Sequence, residues 1–120
     1  MIAVPVKDRS DNPLIDERFG RANIFCLIDD EGKRRFIESD SNSSPSGAGV
    51  KTVQMLANEG VSVVIAPEVG PKAMDVIVKL GVKVFNVGSA AQLKEALTLF
   101  DENKLVERKT GSESGGLRRA

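Results

Sequence analysis

The chain contains no histidine, no tryptophan, no tyrosine and only one cysteine. Histidine is the usual general base near neutral pH and a common metal ligand, so its absence closes the commonest routes to acid–base and metal chemistry. The lone Cys26 forms no intrachain disulfide. It sits in an apolar run, where cysteine behaves as a small hydrophobe. Such cysteine usage is typical of a reducing compartment, and the cytoplasm is the expected location. No apolar run reaches the ~18 residues of a membrane span, and Met1 leads into a strand pattern rather than a signal peptide, so no membrane association is expected. Basic and acidic residues number 17 each. Without a basic excess, and with five Phe as the only aromatics, neither phosphate neutralisation nor base stacking recommends a nucleic-acid partner.

What remains is ordinary globular material with an unusual distribution of glycine and arginine. Ile2-Ala3-Val4-Pro5-Val6 reads as a strand, and residues 7–23 as a long polar loop, a length more often functional than idle. Residues 24–28 are continuously apolar, as in a strand buried on both faces. Asp29-Asp30-Glu31-Gly32 is a hairpin turn leading to a charged edge strand over 34–38. A serine-rich loop over 40–46 precedes Gly47-Ala48-Gly49 and a helix to about residue 58, with Val50, Val53, Leu56 and Ala57 as its apolar stripe. Residues 61–66 and 82–87 are β-branched runs read as parallel strands. Between them Gly70-Pro71 opens a helix with Ala73, Ile77 and Leu80 facing inward. Ser89 and Gln92 fit a capping box for a third helix carrying Leu93, Ala96, Leu97 and Phe100. Residues 1–106 form one predicted domain and 107–120 a disordered charged tail.

This order predicts a three-layer α/β fold. The five-stranded mixed sheet has the order 3-2-1-4-5, with strand 2 antiparallel. Right-handed crossovers place the first two helices on one face and the third on the other. The loops after strands 1, 3, 4 and 5 then emerge at one rim, with three helix N-termini aimed there. Unpaired N–H groups and partial positive charge at helix starts favour anions, and open α/β sheets bind ligands at this edge. The candidate binding residues are Arg18, Phe19, Gly20, Arg21, Gly47, Ala48, Gly49 and Gly70. The arginines offer forked donors, the glycines close backbone approach, and Phe19 a partial apolar lid. No catalytic dyad, carboxylate cluster or metal-ligand spacing accompanies them, so a non-enzymatic binding protein is expected.

The segments Ile2-Ala3-Val4-Pro5-Val6, Phe19-Gly20-Arg21-Ala22, Gly47-Ala48-Gly49, Gly70-Pro71-Lys72-Ala73 and Gly81-Val82-Lys83-Val84, in this order and spacing, resemble the dinitrogenase iron–molybdenum cofactor biosynthesis family. The likeness extends from Ile2 to Leu105 and implies a ribonuclease-H-like fold. It also implies a carrier that holds an iron–molybdenum or iron–sulfur cluster during nitrogenase maturation and passes it to a protein partner. Where that family commonly has histidine before Phe-Gly-Arg-Ala, this chain has Arg18. Its Ser44-Pro45-Ser46 also replaces a stretch often richer in glycine and histidine. The resemblance therefore implies an anionic cluster held through its outer sulfides and organic acid rather than by a protein–metal bond. Nuclease activity does not follow from the fold, because the first strand offers Val4, Pro5 and Val6 where such enzymes place a carboxylate.

Other readings of the same residues stay open at this level. The rim suits a sensor or adaptor for a phosphate- or nucleotide-containing metabolite, and a hydrolase of the wider superfamily is a further alternative. Arg18 and Arg21 also fit simple surface pairing with Asp16, Glu17 or Asp11. Gly47 and Gly49 fit a tight helix entry, and Gly70-Pro71 plain helix-start chemistry.

Overall fold

The computed structural model describes residues 1–39 and 47–109. The serine-rich loop read over 40–46, and the tail from 110 onward, lie outside the described residues. The first strand, β1 (Ile2–Val6), is followed by a 3-10 turn (Phe19–Arg21) and a hairpin of β2 (Ile24–Ile28) and β3 (Arg34–Glu38). Then come α1 (Ala48–Asn58), β4 (Val63–Ile65), α2 (Pro71–Lys79), β5 (Lys83–Phe85), α3 (Leu93–Asp101) and β6 (Glu107–Arg108). The sheet order is β3-β2-β1-β4-β5-β6. The β1–β2, β2–β3 and β5–β6 pairs are antiparallel, and β1–β4 and β4–β5 are parallel.

The predicted order and strand sense hold for five strands, but the sheet has six. Glu107 and Arg108, read from the sequence as part of a disordered tail, pair with Phe85 and Val84. The exposed edge of β5 supplies this pairing, since two charged residues carry little strand preference of their own.

Alternation along β1 divides the interior into two cores. Ala3 packs with Phe25, Leu27, Val53, Leu56, Val64, Ala73 and Ile77 beneath α1 and α2. Val4 and Val6 face the other way, with Cys26, Ile65, Leu93, Ala96 and Leu105 beneath α3. Cys26 is fully buried there, and desolvation raises its thiol pKa more than the distant Arg34 charge lowers it. Phe85 and Phe100 meet edge-on with ring centroids 5.1 Å apart, closing the second core against α3. On α2 the buried residues are Ala73, Met74 and Ile77. Leu80, expected to face inward, is half exposed because the helix has ended and Leu80 is its C-terminal cap.

Candidate functional site

Residues 7–18 form an ordered excursion from the end of β1. Lys7 N–H donates to Leu14 O at 2.9 Å, and Ile15 pairs back against Val6. Asp16 N–H donates to Pro5 O at 2.9 Å. The chain thus leaves β1, turns over the sheet's upper edge on the α3 side and returns beside its own starting point. Phe19 then drops into the opposite core, where its ring meets Phe25 edge-on at 5.7 Å. The predicted lid is therefore wrong for Phe19, which is only 2% exposed. Burying its ring is worth more than leaving it over a polar rim. The cavity behind it, lined by Val53, Leu56, Val64 and Ile77, is about 10 Å³, too small for a ligand.

Glycines fix how the 3-10 turn lies on α1. A Cβ built on Gly20 would stand 2.9 Å from Gly49 Cα and 3.0 Å from Gly49 N. A Cβ on Gly49 would in turn stand 3.0 Å from the Ala73 Cβ. Small residues at these three places let the 3-10 turn cross the first turn of α1, and α1 cross the first turn of α2. The buried Thr52 hydroxyl reinforces the crossing, donating to Ala48 O at 2.9 Å and reaching Gly20 O at 3.3 Å. Ala73 faces inward as its helical spacing predicts, but its approach to Gly49 and the role of Thr52 escaped the sequence, since a buried threonine and an alanine within a helix carry no local signal of the contact.

The three helix starts differ in occupancy. Leu93 and Lys94 N–H groups of α3 donate to Pro13 O at 3.0 Å and Asn12 Oδ1 at 2.9 Å. The expected Ser89–Gln92 capping box is absent. Gln92 is the cap position and makes no side-chain capping bond, while Glu95 Oε1 accepts from Ala91 N–H at 3.1 Å. The loop itself fills the end of α3, which removes that helix from the expected anion site. By contrast, the cap positions of α1 and α2 are Gly47 and Gly70, which have no side chain to bond the helix N–H groups. Gly47 adopts φ +73°, a left-handed conformation that favours glycine. Gly70 is extended at φ −65°, with open space around it. Gly49 and Ala73 lie in the first turns of these two helices, and their close approach brings the two helix starts next to each other.

The arginines also differ. Arg18 forks onto Asp16, with Nε to Oδ1 and Nη2 to Oδ2 both at 3.1 Å, and its backbone N–H donates to Oδ1 at 2.9 Å. The Asp16 carboxylate is 4% exposed against 63% for Arg18. Burial alone would raise the Asp16 pKa, but the hydrogen bonds and charge of Arg18, with Lys7 beyond, hold it below the ordinary aspartate value. Of the pairings open to Arg18, the one with Asp16 is the one formed, which leaves Nη1 as its outward donor. Arg21 is exposed at the end of the 3-10 turn, and its backbone N–H donates to Arg18 O at 3.0 Å. Gly20, Ala48 and Gly49 are therefore brought together, with Gly47, Gly70 and Arg21 on the elements they join. Phe19 lies beneath them in the core. Among the described residues no group of three or more His, Cys, Asp or Glu side chains is placed to hold a metal ion. Nor is any helix among them long and apolar enough to cross a membrane.

This arrangement defines a class: a small three-layer α/β protein whose strand C-terminal edge carries two adjoining helix starts, each with glycine at its cap position. The sequence model of the dinitrogenase iron–molybdenum cofactor family matches residues 1–103, and the chain belongs to that family. An uncharacterised protein of Methanocaldococcus jannaschii is 31% identical over 108 residues, 87% of each chain. Among solved structures, the apo form of the orange protein from Desulfovibrio gigas superposes with a TM-score of 0.87 at 27% identity, covering 92% of this chain and 94% of that one. A Thermotoga protein described as a NifB protein of the DUF35 family gives 0.80 at 30% identity, covering 92% and 95%.

Proposed function

We propose that this protein is a non-enzymatic carrier that holds an anionic metallocluster or cofactor at the C-terminal rim of its sheet and hands it to a protein partner. One observation carries the reading. The close approach of Gly20, Gly49 and Ala73 sets the first turns of α1 and α2 side by side, each behind a glycine cap position that has no side chain of its own to fill it. Family membership supports it, as do a neighbour described as a NifB protein and another solved in its apo form. The donor set fits an anion and not a metal ion. Backbone N–H groups of both helix starts, Arg21 and the outward Nη1 of Arg18 meet outer sulfides or carboxylates. Among the described residues no three His, Cys, Asp or Glu side chains are grouped to ligate a metal ion. The cluster, as cargo, supplies its own metal–sulfur bonds. The chain supplies positive polarity and a small-residue surface that the cargo can approach closely.

Anaerobic titration with an iron–molybdenum or iron–sulfur cluster precursor tests the proposal. Visible absorbance is expected to travel with the protein in gel filtration, and Arg21→Gln to weaken retention. No spectral change and no co-elution would overturn it. Helix starts with glycine at the cap position suit phosphate equally well, which favours a phosphate- or nucleotide-metabolite sensor as the second reading. Thermal stabilisation by a nucleotide, with none by the cluster precursor, would select that reading instead.

A further inference from the structure

β3 forms one edge of the sheet, with β2 as its only neighbour among the described strands. Ser39 N–H donates to Asn23 O at 2.8 Å, and Asp29 N–H to Lys33 O at 3.0 Å. These bonds bracket the β2–β3 ladder, in which Phe25 opposes Ile37 and Leu27 opposes Arg35. Hydrogen-bonded pairs alternate along an antiparallel ladder, so Arg35 and Ile37 aim their backbone groups at β2. Arg34, Phe36 and Glu38 aim theirs outward, and no described backbone group bonds to them. Phe36 is only partly covered by the core beneath α3.

We infer that two copies of this chain associate by antiparallel pairing of their β3 edges about a two-fold axis at Phe36. Centred there, Arg34 of one copy stands opposite Glu38 of the other, twice over, and Phe36 faces Phe36. Each outward residue falls in a hydrogen-bonded pair, so the strands exchange every outward N–H and C=O. The charges favour this register over its alternatives. Parallel pairing sets Arg34 beside Arg34 and Glu38 beside Glu38, and a two-residue slip leaves the charges unmatched. Within each copy Glu38 already pairs with Arg9, and Arg34 Nη1 donates to Asp11 O at 2.7 Å. The cross-pairs therefore join a run of alternating sign from Arg9 through Glu38 and the second Arg34 to the second Asp11. One short strand per copy is a small interface, so the dimer is weak and dependent on concentration. The axis leaves the two rims at opposite poles, and the inference does not depend on what the rim holds.

Analytical ultracentrifugation of the full chain over rising concentration tests it, with Arg34→Glu, Glu38→Arg and the double variant. Each single reversal puts like charges in opposition and is expected to weaken self-association roughly tenfold or more. The double variant restores it, and so does an equimolar mixture of the two singles, which are complementary only to each other. Melting temperatures establish that each variant is folded. In the unmodified chain, hydrogen exchange at Arg34, Phe36 and Glu38 amides is expected to slow as concentration rises, with little change at Arg35 and Ile37. A chain that stays monomeric at millimolar concentration overturns the inference. So does a dimer that both single reversals leave intact, since its interface then lies elsewhere.

Discussion

Gly20 and Gly49 approach so closely that a methyl group on the first would stand 2.9 Å from the backbone of the second. The neighbour is main chain rather than the end of a flexible side chain, so it cannot give way cheaply. Gly20→Ala is expected to destabilise the fold by about 1–3 kcal/mol. Thermal unfolding should show this as a loss of about 4–8 °C per kcal/mol. The same variant should lose cargo retention beyond its stability cost, because it moves the 3-10 turn off the start of α1.

Gly70 offers the opposite case. Its extended backbone and open surroundings accept a side chain, and the position caps α2. Gly70→Asp is expected to stabilise the protein by about 0.5–1 kcal/mol through capping and the helix dipole. It should also weaken retention of an anionic cargo by about tenfold, since the carboxylate occupies the donors the cargo would use. Melting curves and the anaerobic titration together check both signs.

Phe19 separates a core role from a lid. Phe19→Ala removes a buried ring packed against Phe25, and about 3–5 kcal/mol of stability should go with it. Cargo affinity, measured well below the variant's melting temperature, should change little. A large affinity loss without a fall in stability would return Phe19 to the rim.

The Asp16–Arg18 pair predicts acid sensitivity. Asp16 has a lower pKa folded than unfolded, so its contribution is present above the ordinary aspartate value of about 3.9 and is lost as pH falls towards the folded value. Asp16→Asn should be less stable than the unmodified chain at neutral pH, with the two converging as pH falls below about 4. Urea unfolding at a series of pH values checks the convergence.

Much of the architecture was legible because it rests on local pattern. Apolar runs mark four of the first five strands and the Asp29–Gly32 hairpin turn marks the charged third one, while strand sense follows from which strands are separated by helices. The contacts that set the site are of another kind. Nothing near Phe19 distinguishes a ring buried beneath the sheet edge from one lying above it, since its neighbours in sequence are polar. Ser89 and Gln92 have capping-box spacing, yet Asn12 and Pro13, about eighty residues away, take the α3 donors. Glu107 and Arg108 become a strand only because β5 offers an open edge. Leu80 fits the α2 stripe by spacing, but the helix stops before that spacing applies. The glycines at 20 and 49 were legible as special positions, though not as positions packed against each other.

The anchoring of residues 11–13 on α3 has a consequence for biosynthesis. Asn12 holds the amide of Lys94, and the Lys94 ammonium meets Asp11 at 2.5 Å. On the ribosome the arginine-bearing loop is therefore made before its fastening, which exists only once α3, some eighty residues further along, has been synthesised. Until α3 exists, the loop lacks that anchor, and the candidate rim is incomplete through that stretch of synthesis.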